Sequence, residues 1–269
     1  MIIGSREFDL VNKTYIMGIL NVTPDSFSDG GSHDSVDEAL RHTEQMIDEG
    51  ADIIDIGGES TRPGAKPVTE TEELNRVLPV LKAIKARFDI PVSVDTYRAS
   101  TAKAALDEGA DLINDIWGLR YDKGEMAKVV AQSHRPYILM HNARNDETPD
   151  FISNIKLSLA ESLRIADAAG IDKDKIILDP GIGFNKTYEE NLEILRRLDE
   201  FNDMGYPMLL GCSRKSVIGK ALDLPVDERL EGTLVTTVLA ARAGYSFVRV
   251  HDVRENKRAL MMYYAIQSR

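Results

Sequence analysis

Read from its chemistry-bearing residues, the chain sets acids, amides and cations directly behind short apolar runs. Asn21 follows "YIMGIL", and "GGESTRPG" (57–64), with Thr61, Arg62 and Pro63, follows "DIIDI". Asp95 ends "PVSVD", and Asn114 and Asp115 end "DLIND". Met140 and His141 close "PYILM", and Asp179 ends "KIILD" ahead of "PGIGF" with Phe184. "CSRKS", with Lys215 and Ser216, follows "PMLLG", which ends in Gly211. Arg249 and His251 close "FVRV". A carboxylate inside an apolar run loses hydration and needs donors. Asp95 and Asp179 therefore call for partners, with Lys215 or the N–H groups of a ligand as candidates. Arg62, Arg214, Lys215, Arg249, His251 and Arg254 collect in the same loops of an acidic chain. Such a cluster suits a phosphate or carboxylate. Arg254 and Arg214 also read as solvated surface charge, whereas Arg249 alternates with Val248 and Val250 inside a strand. The chemistry is that of a pocket with carboxylates deep inside for an N–H-rich heterocycle and cations nearer the rim for an anion.

The elements that must position these groups are legible. The runs at 15–20, 52–56, 91–95, 111–115, 136–140, 175–179, 207–211 and 247–250 are nearly all apolar, as parallel strands covered on both faces should be. Helical patterns separate them. Val36, Ala39, Leu40, Met46 and Ile47 share one face of a 3.6-residue period. Thr69 and Glu72 form a capping-box signature, and Pro79 predicts a kink in the helix they open. Gly50, Gly109, Gly170, Gly205 and Gly244 stand where helices should end before strands. "EGADIID" (49–55) recurs as "EGADLIND" (108–115), one helix-to-strand corner used twice. The alternation predicts an α/β fold, a single (β/α)8 TIM barrel over 1–269 with a short N-terminal β extension. A doubly wound open sheet is the alternative. In a barrel, the C-terminal strand ends form the active-site rim. Asp and Asn at strand ends also serve as helix caps, but eight strands delivering polar groups to one rim exceed what capping needs.

Composition bounds the partners. With 43% hydrophobic and 29% charged residues the chain can bury a full core. A net charge of -11 argues against nucleic acid and anionic membrane. One cysteine, Cys212, excludes an internal disulfide and fits a reducing cytosol, so the protein is expected in the cytoplasm. The N-terminus lacks a signal-peptide apolar core, and no run reaches 18 apolar residues. No Ser-His-Asp order, P-loop or zinc spacing is present, and Cys212 reads as a core residue rather than a nucleophile.

Seven motifs in order resemble the dihydropteroate synthases of folate biosynthesis: "MGILNVTPDSFSDGG" (17–31), "DIGGESTRPGA" (55–65), "VDTY" (94–97), "INDIWG" (113–118), "LDPGIGF" (178–184), "GCSRKS" (211–216) and "RVHD" (249–252). The resemblance implies condensation of 6-hydroxymethyl-7,8-dihydropterin diphosphate with 4-aminobenzoate, Mg2+ as cofactor, a homodimer, and C–O cleavage before attack by the amine. It implies that Asp95, Asn114, Asp179 and Lys215 hold the pterin, and Gly211 is counted among the substrate-binding residues. Asn21, Arg62, Arg249 and His251 would hold the diphosphate, with Asn21 near the metal, and Thr61, Pro63, Phe27, Phe184 and Ser216 would shape the aminobenzoate site. Asp95, Lys215, Arg249 and His251 are the expected catalytic set. Thr23 to Gly31 are expected to act as a lid hinged at Gly30 and Gly31, with Phe27 as its apolar cover. "MHNARNDETPDF" departs from the family's usual basic-glycine run, so His141 is given a structural or minor pocket role. "GIGFNKT" lacks the insertion of sulfonamide-resistant relatives, so ordinary sulfonamide competition is expected. A methyltetrahydrofolate methyltransferase domain and a non-catalytic pterin-binding paralogue are the alternatives, and the intact "ESTRPG" loop and Arg249/His251 pair weigh against both.

Overall fold

The computed structural model describes residues 1–23, 32–59, 67–144 and 147–268. It opens with the expected β extension, an antiparallel hairpin of β1 (Ile2–Ile3) and β2 (Arg6–Glu7). The eight apolar runs then become β3 (Tyr15–Asn21), β4 (Ile53–Gly57), β5 (Val92–Asp95), β6 (Leu112–Asp115), β7 (Tyr137–Met140), β8 (Ile176–Asp179), β9 (Leu209–Leu210) and β10 (Phe247–Val250). They form one sheet in the order β8-β7-β6-β5-β4-β3-β10-β9. Its ends meet through a parallel bridge between Leu178 and Met208, where the Leu178 N–H donates to the Pro207 carbonyl at 2.9 Å. The ring is closed, so the open-sheet alternative falls.

Helices α1 (Ser32–Glu49), α2 (Glu70–Arg87), α3 (Ala99–Asp107), α4 (Glu125–Ser133), α5 (Phe151–Ala169), α6 (Tyr188–Arg196), α7 (Ser216–Leu222), α8 (Leu230–Arg242) and α9 (Val253–Gln267) surround it. Thr69 and Glu72 make the capping box at the start of α2. The helix runs from Glu70 to Arg87 with Pro79 inside it. Pro79 and Asn75, whose carbonyl loses its donor, are both exposed, so that carbonyl is left on the solvent side of the helix.

The repeated corner is a structural unit. Gly50 and Gly109 adopt φ of +102° and +96°, which favours glycine. Two residues on, Asp52 accepts the Ile16 N–H at 2.8 Å and Asp111 accepts the Val92 N–H at 2.9 Å. Each aspartate thereby pins the start of the neighbouring strand and fixes the register of the polar residues above it.

The floor of the barrel is an apolar plug of Met17, Ile53, Leu112, Ile138, Ile177, Leu209 and Phe247, closed from below by Ile3 and Phe8 of the N-terminal segment. A second apolar cluster lies between sheet and helices and includes Ile54, Val94, Ile113, Leu139 and Leu178.

Candidate active site

Strand side chains alternate between lumen and helix layer. The plug residues set the parity, so the next inward positions toward the C-terminal ends are Ile19, Asp55, Asn114, Met140, Asp179, Gly211 and Arg249. Register places Ser93 beside Asp55, and Asp95 beside Asn114 and Gly57. One layer above an apolar floor, the lumen is lined by carboxylates, an amide and a guanidinium. Asp115 has the opposite parity. It accepts the Trp117 and Leu119 N–H groups, each at 2.8 Å, and the Tyr137 hydroxyl. It is an anchor for the β6–α4 loop, outside the site.

Arg249 is the hub of one half. Its Nε donates to Asp55 Oδ2 at 2.5 Å and its Nη2 to Asp95 Oδ2 at 2.8 Å. Asn114 Nδ2 lies 3.3 Å from the same Asp55 oxygen. Asp55 is fully shielded from solvent. In the repeated corner Asp55 and Asn114 are equivalent residues, and the fold brings the two together. Burial pushes the Asp95 carboxyl up to about 7, against the pull of the Arg249 guanidinium, with Asp55 adding to the rise. A carboxylate poised so close to neutrality is a functional candidate.

Asp179 and Lys215 form the other half. Asp179 Oδ1 accepts the Gly181 N–H at 2.7 Å. Its Oδ2 borders the lumen over Gly211: a Cβ at Gly211 would lie 3.6 Å from Oδ2 and 3.9 Å from Lys215 Nζ. Burial raises the Asp179 pKa, with Lys215 opposing, and burial lowers that of Lys215, with Asp179 opposing. Lys215 donates to the Ile182 carbonyl at 2.5 Å and sits 4.6 Å from the centre of the Phe184 ring. This geometry explains the "GIGF" spacing. Gly181 has φ +73° and passes so close to the end of β7 that a Cβ would meet the His141 carbonyl at 2.0 Å.

Two contributors to this site were not legible in the sequence pattern. Asp55 was hidden between isoleucines in "DIIDI". Lys186, in "GIGFNKT", donates to the Gly181 carbonyl (2.9 Å), the Phe184 carbonyl (3.0 Å) and His141 Nδ1 (2.9 Å), and so holds the Asp179–Phe184 loop in shape. A lysine in a glycine-rich loop was the available signal. His141 is buried, and burial with the Lys186 charge depresses its pKa to about 2, in line with a structural role.

At the rim, the position of a Cβ on Gly57 is 3.7 Å from Asn21 Oδ1 and 3.9 Å from Asp95 Oδ2, so both face the same space. The Ser213 hydroxyl accepts the His251 N–H at 3.2 Å and lies 3.0 Å from Nδ1, to which it can donate; the ring proton is then on Nε2. Ser216 opens α7. Arg214 is paired with Asp252, and Arg254 with Glu49 at 2.9 Å, consistent with their surface reading. Cys212 is buried and burial pushes its thiol up to about 11, so it is no nucleophile. Phe27, Thr61, Arg62 and Pro63, and the lid expected at Thr23 to Gly31 apart from Thr23, lie outside the described residues.

Among the described residues, no three His, Cys, Asp or Glu side chains group to hold a metal. A hard cation that keeps substrate phosphates in its shell asks fewer oxygens of the protein. Mg2+ bound in that way takes one or two carboxylates beside the phosphates, and the oxygens that face the rim space over Gly57 are Asp95 Oδ2 and the amide Oδ1 of Asn21.

A closed (β/α)8 barrel with buried charged groups at the C-terminal strand ends has the layout of a barrel enzyme's active site. The sequence model of the pterin binding enzyme family matches residues 17–251. The chain is 57% identical to dihydropteroate synthase of Clostridium beijerinckii over 97% of both chains, and 53% identical to that of Bacillus subtilis over 93% of this chain and 87% of the relative. The dihydropteroate synthase of Clostridium difficile, solved in the presence of pteroic acid, superposes with a TM-score of 0.93 at 52% identity, covering 98% of this chain and 100% of that one. The Yersinia pestis enzyme, solved with a sulfonamide drug, gives 0.92 at 40% identity, covering 100% of this chain and 99% of that one. The chain belongs to the pterin binding enzyme family, and within it to the dihydropteroate synthases.

Proposed function

We propose that the polar layer above the plug carries out the dihydropteroate synthase reaction with the following division of labour. The protein condenses 6-hydroxymethyl-7,8-dihydropterin diphosphate with 4-aminobenzoate, giving 7,8-dihydropteroate and diphosphate. Asp179 Oδ2 accepts from the two-donor edge made by the pterin 2-amino group and ring N–H. Asn114 holds the ring from the Asp55 side, and Lys215 donates to the pterin carbonyl. These partners offset the cost of burying Asp179 and Lys215. The C–O bond to diphosphate breaks before the C–N bond forms, and Asp95 stabilises the positive charge that develops on the pterin methylene, an interaction stronger in the transition state than before it. Arg249, oriented by Asp55 and Asp95, and His251, oriented by Ser213, meet the departing diphosphate together with Asn21 and Arg62. Mg2+, when bound, adds positive charge to that leaving group, and Asn21 would hold it. Phe27, Thr61, Pro63, Phe184 and Ser216 form the aminobenzoate side, where sulfonamides compete.

The observation that carries this reading is the Asp179–Gly211–Lys215 arrangement. A carboxylate oxygen and an ammonium both lie within 4 Å of the position a Cβ would take on Gly211, which leaves an acceptor and a donor side by side over a residue with no side chain. A homodimer belongs to the same reading. It is supported by apolar residues left exposed at i, i+4 spacing, Val235 and Leu239 on α8 and Met262 and Ile266 on α9. A cytoplasmic location is supported by the unpaired, buried Cys212; among the described residues no helix is long and apolar enough to cross a membrane. The deciding experiment mixes the protein with the pterin diphosphate and 4-aminobenzoate, with Mg2+ or with a chelator. Dihydropteroate and diphosphate should form in equal amounts with Mg2+ and stop with chelator. No product under either condition overturns the assignment.

A further inference from the structure

Arg98 lies three residues beyond Asp95, at the N-cap position of α3, where a side chain with donors alone cannot cap the helix. It crosses instead to the β4–α2 connection. Nη1 donates to Glu59 Oε2 at 2.6 Å and to Glu73 Oε2 at 2.9 Å, and Nη2 donates to the Val68 carbonyl at 2.7 Å. Glu59 and Val68 flank residues 60–66, the stretch that carries Thr61, Arg62 and Pro63. One guanidinium thus bonds a described residue on either side of that stretch and, through Glu73, the helix that follows.

The contact is built rather than incidental. The Tyr97 hydroxyl donates to both Glu59 oxygens, at 3.2 and 3.1 Å, and Arg98 lies 4.5 Å over the Tyr97 ring. The Thr101 hydroxyl donates to Glu73 Oε2 at 2.8 Å. The side chains of Arg98 and Glu59 are each 12% exposed and that of Glu73 is 1% exposed, so this is not a screened surface pair. The planar fork sends two nitrogens to three acceptors on separate segments, which a single ammonium cannot reproduce.

We infer that Arg98 is a positioning residue, a clamp that ties Glu59 to Val68 and Glu73 and so sets recognition of aminobenzoate and diphosphate without touching the pterin. The inference rests on the roles proposed above for Thr61, Arg62 and Pro63. The test uses Arg98→Lys, which keeps a cation beside Glu73 and so protects the fold, and Glu59→Gln, which leaves Arg98 and Glu73 paired. In steady-state assays both should raise KM for 4-aminobenzoate and lower its kcat/KM, by roughly 10–100-fold for Arg98→Lys. Equilibrium binding of 6-hydroxymethylpterin, which lacks the diphosphate, should stay within about twofold of native. Native-like aminobenzoate kinetics in both variants, with the native protein active, would overturn the clamp alone. A loss of pterin affinity as large as the rise in KM would overturn it too, since the effect would then be general collapse of the site. A native protein that forms no dihydropteroate removes the parent assignment and the clamp with it.

Discussion

Replacing Arg249 with methionine should strand two carboxylates at once. The substitution keeps the apolar stem and removes the Nε donor 2.5 Å from Asp55 and the Nη2 donor 2.8 Å from Asp95. Asp55 is fully buried, its remaining partner is Asn114 at 3.3 Å, and its Oδ1 has no hydrogen-bond partner among the described residues. Breaking a buried ion pair from one side costs about 3–5 kcal/mol. Folded proteins hold about 5–15 kcal/mol in total, so the loss should lower the urea midpoint visibly. Asp55→Asn alone should cost less, about 1–2 kcal/mol, because Arg249 keeps Asp95 and the amide keeps the shape. In the double variant no charge is stranded at 55, so the two costs should fail to add by about 1–3 kcal/mol. The assay is urea unfolding of all four proteins, followed by far-UV circular dichroism. A second reading comes from pH. The Asp95 carboxyl already sits at about 7 through burial, and loses the pull of Arg249 in the variant. A folded pKa above the unfolded value of about 3.9 means that the folded state binds the extra proton between the two. The variant should therefore regain stability as pH falls from 8 toward 5 and lose it as pH rises through the folded pKa. Additivity within about 0.5 kcal/mol, or a variant at 249 milder than the one at 55, would refute the hub reading.

The same geometry makes further predictions. With Asp95 at about 7, kcat/KM should rise with pH through that value and fall roughly tenfold per unit below it, and Asp95→Asn should flatten the profile. Asp179→Ala should weaken pterin binding by about 1.5–3 kcal/mol in calorimetry, and an unchanged affinity would remove Asp179 from the site. Gly211→Ala places its Cβ at ordinary contact distance from Asp179 and Lys215, so the urea midpoint should move by no more than about 0.5 kcal/mol while pterin affinity falls at least tenfold. Gly181→Ala, by contrast, drives a Cβ into the His141 carbonyl at φ +73° and should lower stability and pterin affinity together.

By itself the sequence determined where the strands, caps and rim residues are. Barrel strands are buried on both faces, so they appear as short apolar runs, and all eight were legible to within a residue or two of their observed bounds. The glycine corners and the Thr69 capping box were equally legible, because each is a local demand on the backbone. Its motifs also carried the family, since they name residue types in order. What only the tertiary structure decided is which groups meet. A strand that is apolar on both faces hides its own parity, so nothing local separates inward Asn114 from outward Asp115, or reveals Asp55 as a lumen residue. Arg249 and Asp55 stand 194 residues apart in the chain, and closure of the ring makes them neighbours. Arg98 and Lys186 read as ordinary basic residues until the fold carries Glu59, Glu73 and Val68 to one and the Gly181 and Phe184 carbonyls to the other. Charge pairing depends on distance through space, and that distance is set by the closure and register of the whole barrel.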